Sequence, residues 1–592
     1  MRPHRPHLAI AIALVAAAAC HPDPPTPAGS ARFTAFTYEG RDARFMQDID
    51  PRTQYFNPVI AGFYPDPSVC ACNDRYYLVN SSFGFYPGIP LWESTDLVSW
   101  QQVGHVLTRD EQLDVRRSHP SAGIYAPAIS YCQANQTLYV VTMNMYNYRV
   151  FYVKTQDPAQ GWSDPVYLKQ GGMDPSLFFD DDGRAYMVYN SRPTGGSKYP
   201  GETSIFMSEI DLEGDSVVGE RREIVRGGIR IDSQEPRDIE GPHLYKEGGY
   251  YYLMCAQGGT GTDHCEVVFR TRDLHSGLWE PLRDPILAQP QGGTDQYPVS
   301  STGHADLVRT ADGSWWAVFL ACRPYEGDLY HTGRETFLLP VTWREGWPRI
   351  LAPDQPLPTV ATKPELDTLR PRPTGNFAFT DSFAGTDLDQ RWVYLRNPEP
   401  ERYTIDGKGL LITPDSVNIY QDRHPAAVFC RQSHTCFTAS TVVDFHPRSS
   451  DELAGLVLLQ DAQHCLVLGK TLVDGQPAIT LTRSGGGHDA YSTATEDADP
   501  VAVEDADPAT AEDAEPTAPA VLATAHLTAQ EAAQPLRLIV EGNGGSYSFS
   551  YQTEGHAVRP VATDVDATCL STHRAGGYIG TMLGLYATLH KD

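Results

Sequence analysis

The sequence predicts an all-β protein in which a five-bladed β-propeller is followed by a β-sandwich. Its 592 residues exceed what one hydrophobic core usually holds, so two large domains are expected. The 50 Gly, 46 Pro, 21 Phe, 9 Trp and 31 Tyr favour short strands joined by many turns. A hairpin pattern also recurs five times between residues 66 and 321, and repeated hairpins at this spacing are typical of propellers.

The first 30 residues predict an export signal followed by a Pro-rich linker. Basic residues precede an apolar run from Leu8 to Ala19, which is too short to span a bilayer. The stretch AAAC resembles the lipobox of bacterial lipoproteins, which would leave Cys20 lipidated; ordinary cleavage is the alternative. We therefore expect an exported protein, either a periplasmic or outer-membrane-anchored lipoprotein or a secreted one. Only the lipid anchor would hold it at a membrane. Residues 31–53 are expected to form an N-terminal extension.

The net charge of −28 argues against a nucleic-acid or anionic-membrane partner, because phosphates would be repelled. A neutral sugar substrate is compatible with it. Much of the charge lies in TEDADPVAVEDADPATAEDAEPTAP, which has too few apolar residues for a core and predicts a disordered insertion at about 489–520. The 11 cysteines are scattered and form no C-x-x-C pair, so neither a disulfide scaffold nor a zinc site is expected.

Five segments share one pattern: a small or Pro-containing start, a few apolar residues, a polar turn and an aromatic-rich strand. Four of the turns, NDR, DDG, EGG and ADG, carry the Asn, Asp and Gly that tight hairpins need. In a propeller the innermost strand of each blade lies along a central channel. Equivalent positions in the repeats should therefore meet at one axis; they hold Asp66, Ala126, Asp174, Glu240 and His304.

Three convergent carboxylates can cleave a glycosidic bond. One protonated carboxyl donates a proton to the leaving oxygen, and a second carboxylate acts as base toward water or as nucleophile. A third carboxylate beside the acid raises its pKa by like-charge repulsion. A structural cation site built from three acids and a histidine is the alternative.

The motifs YPDPS, GIYAPAISY, DPSLFFDDDG, IEGPHLYK, GGTGTDH, TGHADLV and GRETFLLPVTWREGWP occur in this order. Together they resemble the five-bladed propeller of glycoside hydrolase family 43, the β-xylosidases and α-L-arabinofuranosidases. This resemblance covers residues 54–360, the expected catalytic domain. It implies Asp66 as the general base, Glu240 as the general acid and Asp174 as the carboxylate that tunes the pKa of the acid. The family inverts the anomeric centre, which requires base and acid roughly 6.5 to 9.5 Å apart.

The same resemblance implies substrate-binding residues and an accessory ion. Phe83, Phe85 and Tyr125 match the aromatic wall of the terminal sugar subsite, although relatives commonly have Trp in place of Tyr125. Arg334 matches an arginine that contacts sugar hydroxyls. His304 matches a residue at the channel floor where some members hold calcium through water, so it is expected both as a substrate-site residue and as a calcium neighbour. No cofactor is required for the chemistry.

Residues 361–377 predict a Pro-rich linker, and residues 378–592 a β-sandwich that carries the acidic insertion. The stretches DSF, LDQRW and AGLVLLQD resemble the concanavalin-like C-terminal domain of family 43 xylosidases, a domain that packs on the propeller in relatives and can send a loop toward the active site.

The function implied is an inverting exo-glycosidase that removes terminal pentoses from xylo-oligosaccharides or arabinoxylan during plant cell-wall breakdown. A β-xylosidase is expected first and an α-L-arabinofuranosidase second. The alternatives are a non-catalytic carbohydrate-binding propeller and a glycosidase of a related five-bladed family. Fructoside-cleaving relatives of the latter kind carry N-D-P-N-G and R-D-P motifs, where this chain has PDPSV and MDPSL.

Overall fold

The structure, a computed structural model, describes residues 29–484 and 519–591. The expected export signal with its Pro-rich linker (1–30) and the acidic insertion (489–520) lie outside the described residues, except for residues 29, 30, 519 and 520. The all-β class is confirmed: these residues include only two short α-helices, Ala529–Ala532 and Thr572–Ala575. Isolated 3-10 turns span Ala43–Phe45, Pro158–Gln160, Pro400–Arg402 and Thr568–Leu570. None of the described helices is long and apolar enough to cross a membrane.

Five antiparallel sheets, numbered here in chain order, follow one another along the first part of the chain. Sheet 1 contains Ser68–Cys72, Arg75–Val79, Gly88–Ser94 and Gln101–Leu107. Sheet 2 contains Ile124–Cys132, Thr137–Asn144, Arg149–Thr155 and Val166–Tyr167. Sheet 3 contains Met173–Phe179, Ala185–Ser191, Ser204–Asp211 and Ser216–Arg226. Sheet 4 contains Glu240–Glu247, Tyr250–Gln257, Cys265–Thr271, Glu280–Pro281 and Leu287–Ala288. Sheet 5 contains Ser300–Arg309, Trp315–Cys322, Arg334–Arg344 and Trp347–Arg349.

The five predicted hairpins are the first two strands of these five sheets. Their turns contain the positive φ angles expected from the sequence, at Asn73, Gly183, Gly248, Gly249 and Gly313. The first strand of each sheet contacts the first strand of the next, and the first strand of sheet 5 contacts that of sheet 1. The starts of these strands are therefore brought together although they are far apart in sequence.

The C-terminal part is a sandwich of two antiparallel sheets around one apolar core. One sheet has the order Tyr403–Ile405, Leu410–Ile412, Ala31–Gly40, Cys436–Asp444, Leu536–Asn543, Ser546–Thr553 and Arg559–Asp566, with Ala378–Asp381 beside Ala31–Gly40. The other has the order Ala427–Arg431, Met582–Thr588, Leu453–Asp461, His464–Val473, Gln476–Arg483 and Ala520–His526. Alternate residues such as Leu536, Leu538 and Val540 are buried, as a sheet with one core-facing side requires.

The segment expected as an N-terminal extension belongs to this sandwich. Its strand Ala31–Gly40 pairs with Cys436–Asp444 on one side and with Ala378–Asp381 and Leu410–Ile412 on the other. Phe33 and Phe36 are fully buried there. The alternating apolar residues of the segment therefore form an internal strand, whose partners come from distant parts of the chain.

The expected linker, residues 361–377, is held along the first domain. Its first residues complete the strand Val360–Thr362, which pairs with Gln54–Phe56. Arg372 donates hydrogen bonds to the Ser99 hydroxyl and to the backbone carbonyl of Pro51. Two-stranded pairing of Phe85–Tyr86 with Tyr394–Leu395 also joins the two domains, so their relative position is supported by several contacts.

Candidate active site

A backbone irregularity near the start of each first strand positions the predicted site residues. The pairing register shifts between Tyr125 and Ala128, Met173 and Ser176, Glu240 and His243, and Gly303 and Asp306. A left-handed φ angle occurs inside each of these four shifts, at Ala126 (34°), Asp174 (51°), Gly241 (54°) and His304 (51°), and also just before the first strand of sheet 1, at Asp66 (50°). For each non-glycine residue this conformation costs about 1 kcal/mol. Such strain persists only where the surrounding structure holds it.

This comparison corrects the predicted alignment of the repeats. Glu240 is not equivalent to Asp66 and Asp174; Gly241 is, because it has the left-handed φ and precedes Pro242 as Asp174 precedes Pro175. Glu240 corresponds to Met173, one position earlier. Glycine suits this position, since φ is 54° and a Cβ would lie 3.0 Å from Nδ1 of His304, a contact that would push the histidine away. The histidine can therefore pack directly beneath the acidic cluster.

Asp66 is buried and held as a carboxylate. Its Oδ1 accepts a hydrogen bond from Nη1 of Arg334 at 2.8 Å, and its Oδ2 accepts one from the Ser81 hydroxyl. Ser81 in turn accepts from the backbone N–H of Ala126 at 2.7 Å, which orients its proton toward Asp66. Burial alone would raise the pKa of Asp66, but the Arg334 guanidinium, then His304 and Ser81, hold it below its usual value.

The pKa values of Glu240 and Asp174 are shifted upward, opposite to that of Asp66. The cavity leaves part of Glu240 accessible, yet burial raises its pKa well above the usual value, and the negative charges of Asp174, Asp238 and Asp66 raise it further. Burial also raises the pKa of Asp174, whose Oδ2 accepts a hydrogen bond from the Gly241 N–H at 3.1 Å. The cluster thus combines a carboxyl group of lowered pKa with one of strongly raised pKa, the contrast that acid–base cleavage of a glycoside needs.

The predicted aromatic wall is present in part. The rings of Phe83 and Tyr125 lie 4.9 Å apart, and both contact the ring of Tyr578 from the sandwich domain. The Arg334 guanidinium lies 5.9 Å from the Phe83 ring centre and 5.7 Å from that of Tyr578. Arg334 thus contacts both Asp66 and this group of rings, in which Phe83 is buried and Tyr125 is partly exposed. Their role in binding sugar stays a prediction.

The prediction for Phe85 is wrong. Phe85 is fully buried in the contact between sheet 1 and the sandwich, where its ring faces Phe63 and Phe429. The left-handed backbone of Phe83, with φ of 47°, breaks the strand alternation that would have placed both rings on one face. Phe85 supports the domain contact, and no sugar can reach it.

Tyr578, His264 and Asp238 were not predicted as site residues. All three line, with Glu240 and the glycine-rich loop 258–262, a cavity of about 1530 Å³. Burial lowers the pKa of His264 to about 4, so its ring is neutral near pH 7 and donates from Nδ1 to the Ser301 carbonyl at 3.1 Å. His264 belongs to the motif GGTGTDH and could have been found from it, whereas nothing in the sequence near Tyr578 marks it.

The family models match both domains. Residues 55–348 match glycosyl hydrolases family 43, and residues 380–592 match the beta-xylosidase C-terminal concanavalin A-like domain. A xylosidase/arabinosidase of Butyrivibrio fibrisolvens is 38% identical over 421 residues, which cover 70% of this chain and 79% of that protein. A non-reducing end alpha-L-arabinofuranosidase of Bacteroides ovatus is 34% identical over 446 residues, covering 72% and 78%.

Solved structures agree over nearly the whole chain. A crystal structure of a GH43_12 protein retrieved from a capybara gut metagenome is 36% identical, with a TM-score of 0.83; the match covers 95% of this chain and 100% of that one. The predicted family and its concanavalin-like C-terminal domain are confirmed. With family models for both domains and relatives of this identity and coverage, the chain belongs to glycosyl hydrolases family 43 and is a glycoside hydrolase.

Proposed function

We propose that the protein is an inverting exo-glycosidase that releases terminal pentose residues from xylo-oligosaccharides or arabinoxylan. The observation that carries the proposal is the contrast between two carboxyl groups of one cluster. The Arg334 guanidinium, 2.8 Å from Asp66, helps to hold the pKa of Asp66 below its usual value, whereas burial and then the charges of Asp174 and Asp238 hold the pKa of Glu240 well above its own. Of the two activities, β-xylosidase is proposed first. The Bacteroides ovatus relative, named an arabinofuranosidase, supports the second.

In the proposed reaction Asp66 removes a proton from a water molecule while the oxygen of that water attacks the anomeric carbon. Arg334 and Ser81 hold the carboxylate in one direction, which aligns that water with the sugar. Glu240 donates its proton to the glycosidic oxygen, so the leaving group departs as a neutral alcohol. Asp174 stays close to both and discourages ionisation of Glu240 by charge repulsion.

The proposed architecture is a five-bladed propeller. Its support is the set of five sheets whose first strands contact one another in sequence and close from sheet 5 to sheet 1. The proposed location is outside the cytoplasm, through an export signal with lipidation at Cys20. A lipid anchor there would keep the enzyme at the cell surface or in the periplasm, where oligosaccharides enter.

A calcium ion held through water near His304 is proposed as an accessory group only. Among the described residues no three His, Cys, Asp or Glu side chains are placed to bind a metal directly. Nε2 of His264, Oε1 of Glu266 and Oγ1 of Thr302 are buried without a hydrogen-bond partner in the described protein, which suits a hydrated channel. The residues thus fit an ion bound through water, and no step of the reaction depends on it.

The proposed function is tested by incubating the full-length enzyme with aryl β-D-xyloside and aryl α-L-arabinofuranoside and following the released sugar by NMR. We expect hydrolysis of at least one substrate, faster for the xyloside, with the first-formed sugar of inverted anomeric configuration. Retention of configuration would contradict the role of Asp66 as base. Absence of hydrolysis for both substrates, with sugar binding preserved, would favour a binding protein.

Replacing Tyr578 by Ala should weaken substrate binding while leaving the acid–base pair intact. Tyr578 is 38% exposed, lines the cavity and packs its ring against Phe83 and Tyr125. We expect KM to rise about three- to tenfold with kcat little changed, because the lost ring contact stabilises substrate and transition state alike. The control Tyr578→Phe keeps the ring and should behave as wild type. An unchanged KM in Tyr578→Ala would remove Tyr578 from the sugar site.

A further inference from the structure

Asp238 occupies a strained and firmly held position two residues before the acid. Its φ is 50°, in the left-handed region, and its backbone N–H donates to the carbonyl of Gly201 at 2.8 Å. The preceding residue, Arg237, accepts a hydrogen bond at its carbonyl from the N–H of Gly258 at 2.9 Å. The backbone of this segment is thus fixed from sheet 3 on one side and from the glycine-rich loop on the other.

The glycine-rich loop 258–262 lies close to the Asp238 carboxylate at the wall of the cavity. A Cβ on Gly259 would lie 3.4 Å from Oδ2 of Asp238, and a Cβ on Gly261 would meet no atom within 4 Å. Asp238, Glu240 and Tyr578 line the same cavity. A unit bonded to the pentose must leave past Glu240, because the proton goes to the oxygen that joins them.

We propose that Asp238 forms the leaving-group subsite, where its carboxylate accepts a hydrogen bond from a hydroxyl of the sugar bonded to the terminal pentose. The inference rests on the proposed function, since it assumes that Glu240 protonates the oxygen between the two units. A hydrogen bond from a neutral hydroxyl to a carboxylate is stronger than one between neutral groups. It would hold the oxygen of the scissile bond in position for the proton of Glu240.

Asp238 also acts on Glu240 through its charge. The charged and titratable groups near the acid include Asp174 of sheet 3, Asp238 itself, Asp66 beside sheet 1, Arg334 and His304 of sheet 5, Tyr578 of the sandwich, and Arg237, Asp263 and His264 of the same cavity wall. Burial contributes most to the raised pKa of Glu240, Asp174 and Asp238 add to it, and Arg334 opposes them. Removing the charge of Asp238 should therefore lower the pKa of Glu240.

The variant Asp238→Asn tests both effects in the full-length enzyme. Asparagine also accepts a left-handed backbone, so the fold should be retained. The substrates are xylobiose, or an arabinofuranosyl-xylose if the enzyme prefers arabinose, and the aryl glycoside of the same pentose. The aryl group carries no sugar hydroxyl. The two proteins are compared at a pH below the alkaline decline of activity, where Glu240 is protonated in both. There we expect kcat/KM of the variant for the disaccharide to be about tenfold lower than that of wild type, and kcat/KM for the aryl glycoside to be unchanged.

The pH profile gives the second readout. A general acid acts while protonated, so activity is lost as pH rises through its pKa, and this loss should begin at lower pH in Asp238→Asn. The matched control Asp474→Asn removes one charge from an exposed sandwich turn that is also left-handed, with φ of 51°, and should match wild type in both readouts. Asp238→Gly, which accepts the same backbone, replaces Asp238→Asn if the latter unfolds.

The outcomes separate this inference from the proposed function. If Asp238→Asn changed kcat/KM equally for both substrates and left the alkaline decline of activity at the same pH as in wild type, the role of Asp238 would be overturned, although the wild-type enzyme is active. A wild-type enzyme that cleaves neither pentoside would overturn the proposed function, and the inference with it. A selective loss on the disaccharide with a shifted limb would support both.

Discussion

Asp66→Asn should lower kcat by about 10³- to 10⁴-fold while the protein stays folded. The amide has the same shape as the carboxylate and can still accept the hydrogen bond from Arg334, but it cannot remove a proton from water. Asparagine also tolerates the left-handed φ of 50° at this position. The measurement is steady-state hydrolysis of the preferred aryl pentoside, with circular dichroism and thermal unfolding to verify the fold.

Binding distinguishes this effect from a general disturbance of the site. Isothermal titration of Asp66→Asn with the product pentose or a short oligosaccharide should show affinity close to that of wild type, because the aromatic wall and Arg334 remain. Asp474→Asn, which changes the same residue type on the sandwich surface, should keep full turnover. Near-normal turnover in folded Asp66→Asn would mean that another group activates the water.

Glu240→Gln should give a loss that depends on the leaving group. Glutamine cannot donate the proton, so we expect hydrolysis of the disaccharide to fall by about 10³- to 10⁴-fold. A dinitrophenyl pentoside departs as a stable anion without protonation, and its hydrolysis should fall far less. The measurement is kcat for both substrates in wild type and variant, at a pH where Glu240 of the wild type is protonated.

The pH dependence of the same variant tests the assignment independently. In the wild type, burial raises the pKa of Glu240 well above its usual value, and activity should decline as pH rises through that raised pKa. The depressed pKa of Asp66 keeps it ionised, and activity should decline only as pH falls through it. With the dinitrophenyl substrate, Glu240→Gln should lose the alkaline decline and keep the acidic one. If Glu240→Gln lost kcat equally on the disaccharide and the dinitrophenyl pentoside and kept the alkaline decline, a residue other than Glu240 would be the general acid.

The repeated hairpins could be predicted because their signals are local. A turn residue such as Asn73 or Gly183, followed by an aromatic strand, determines a hairpin without help from distant residues. Asp66 and Asp174 could be aligned with each other for the same reason, since each precedes a proline that marks its place in the repeat. The offset of Glu240 was missed because Gly241, which occupies the equivalent position, carries no functional side chain.

The residues that sequence reasoning missed depend on long-range contacts. Tyr578 reaches the site only because the last strands of the sandwich pack against sheet 1, and its own neighbours along the chain have no distinctive pattern. Phe85 was misplaced because the family resemblance places it beside Phe83 in sequence, whereas the left-handed backbone of Phe83 and the contact with the sandwich turn the Phe85 ring into the domain contact. Neither error could be corrected without knowing how the two domains meet.

The central position of Ala31–Gly40 in the sandwich affects how the chain can fold during synthesis. This strand is made first, but its neighbour Cys436–Asp444 follows only after all five sheets have been translated. Until then its apolar side, including Phe33 and Phe36, has no native partner, and long-range pairing of this kind is slow and prone to aggregation. Removing only the residues after the family 43 domain would therefore leave Ala31–Gly40 as an unpaired, aggregation-prone strand. A truncation that isolates this domain should remove Ala31–Gly40 together with the C-terminal strands of the sandwich.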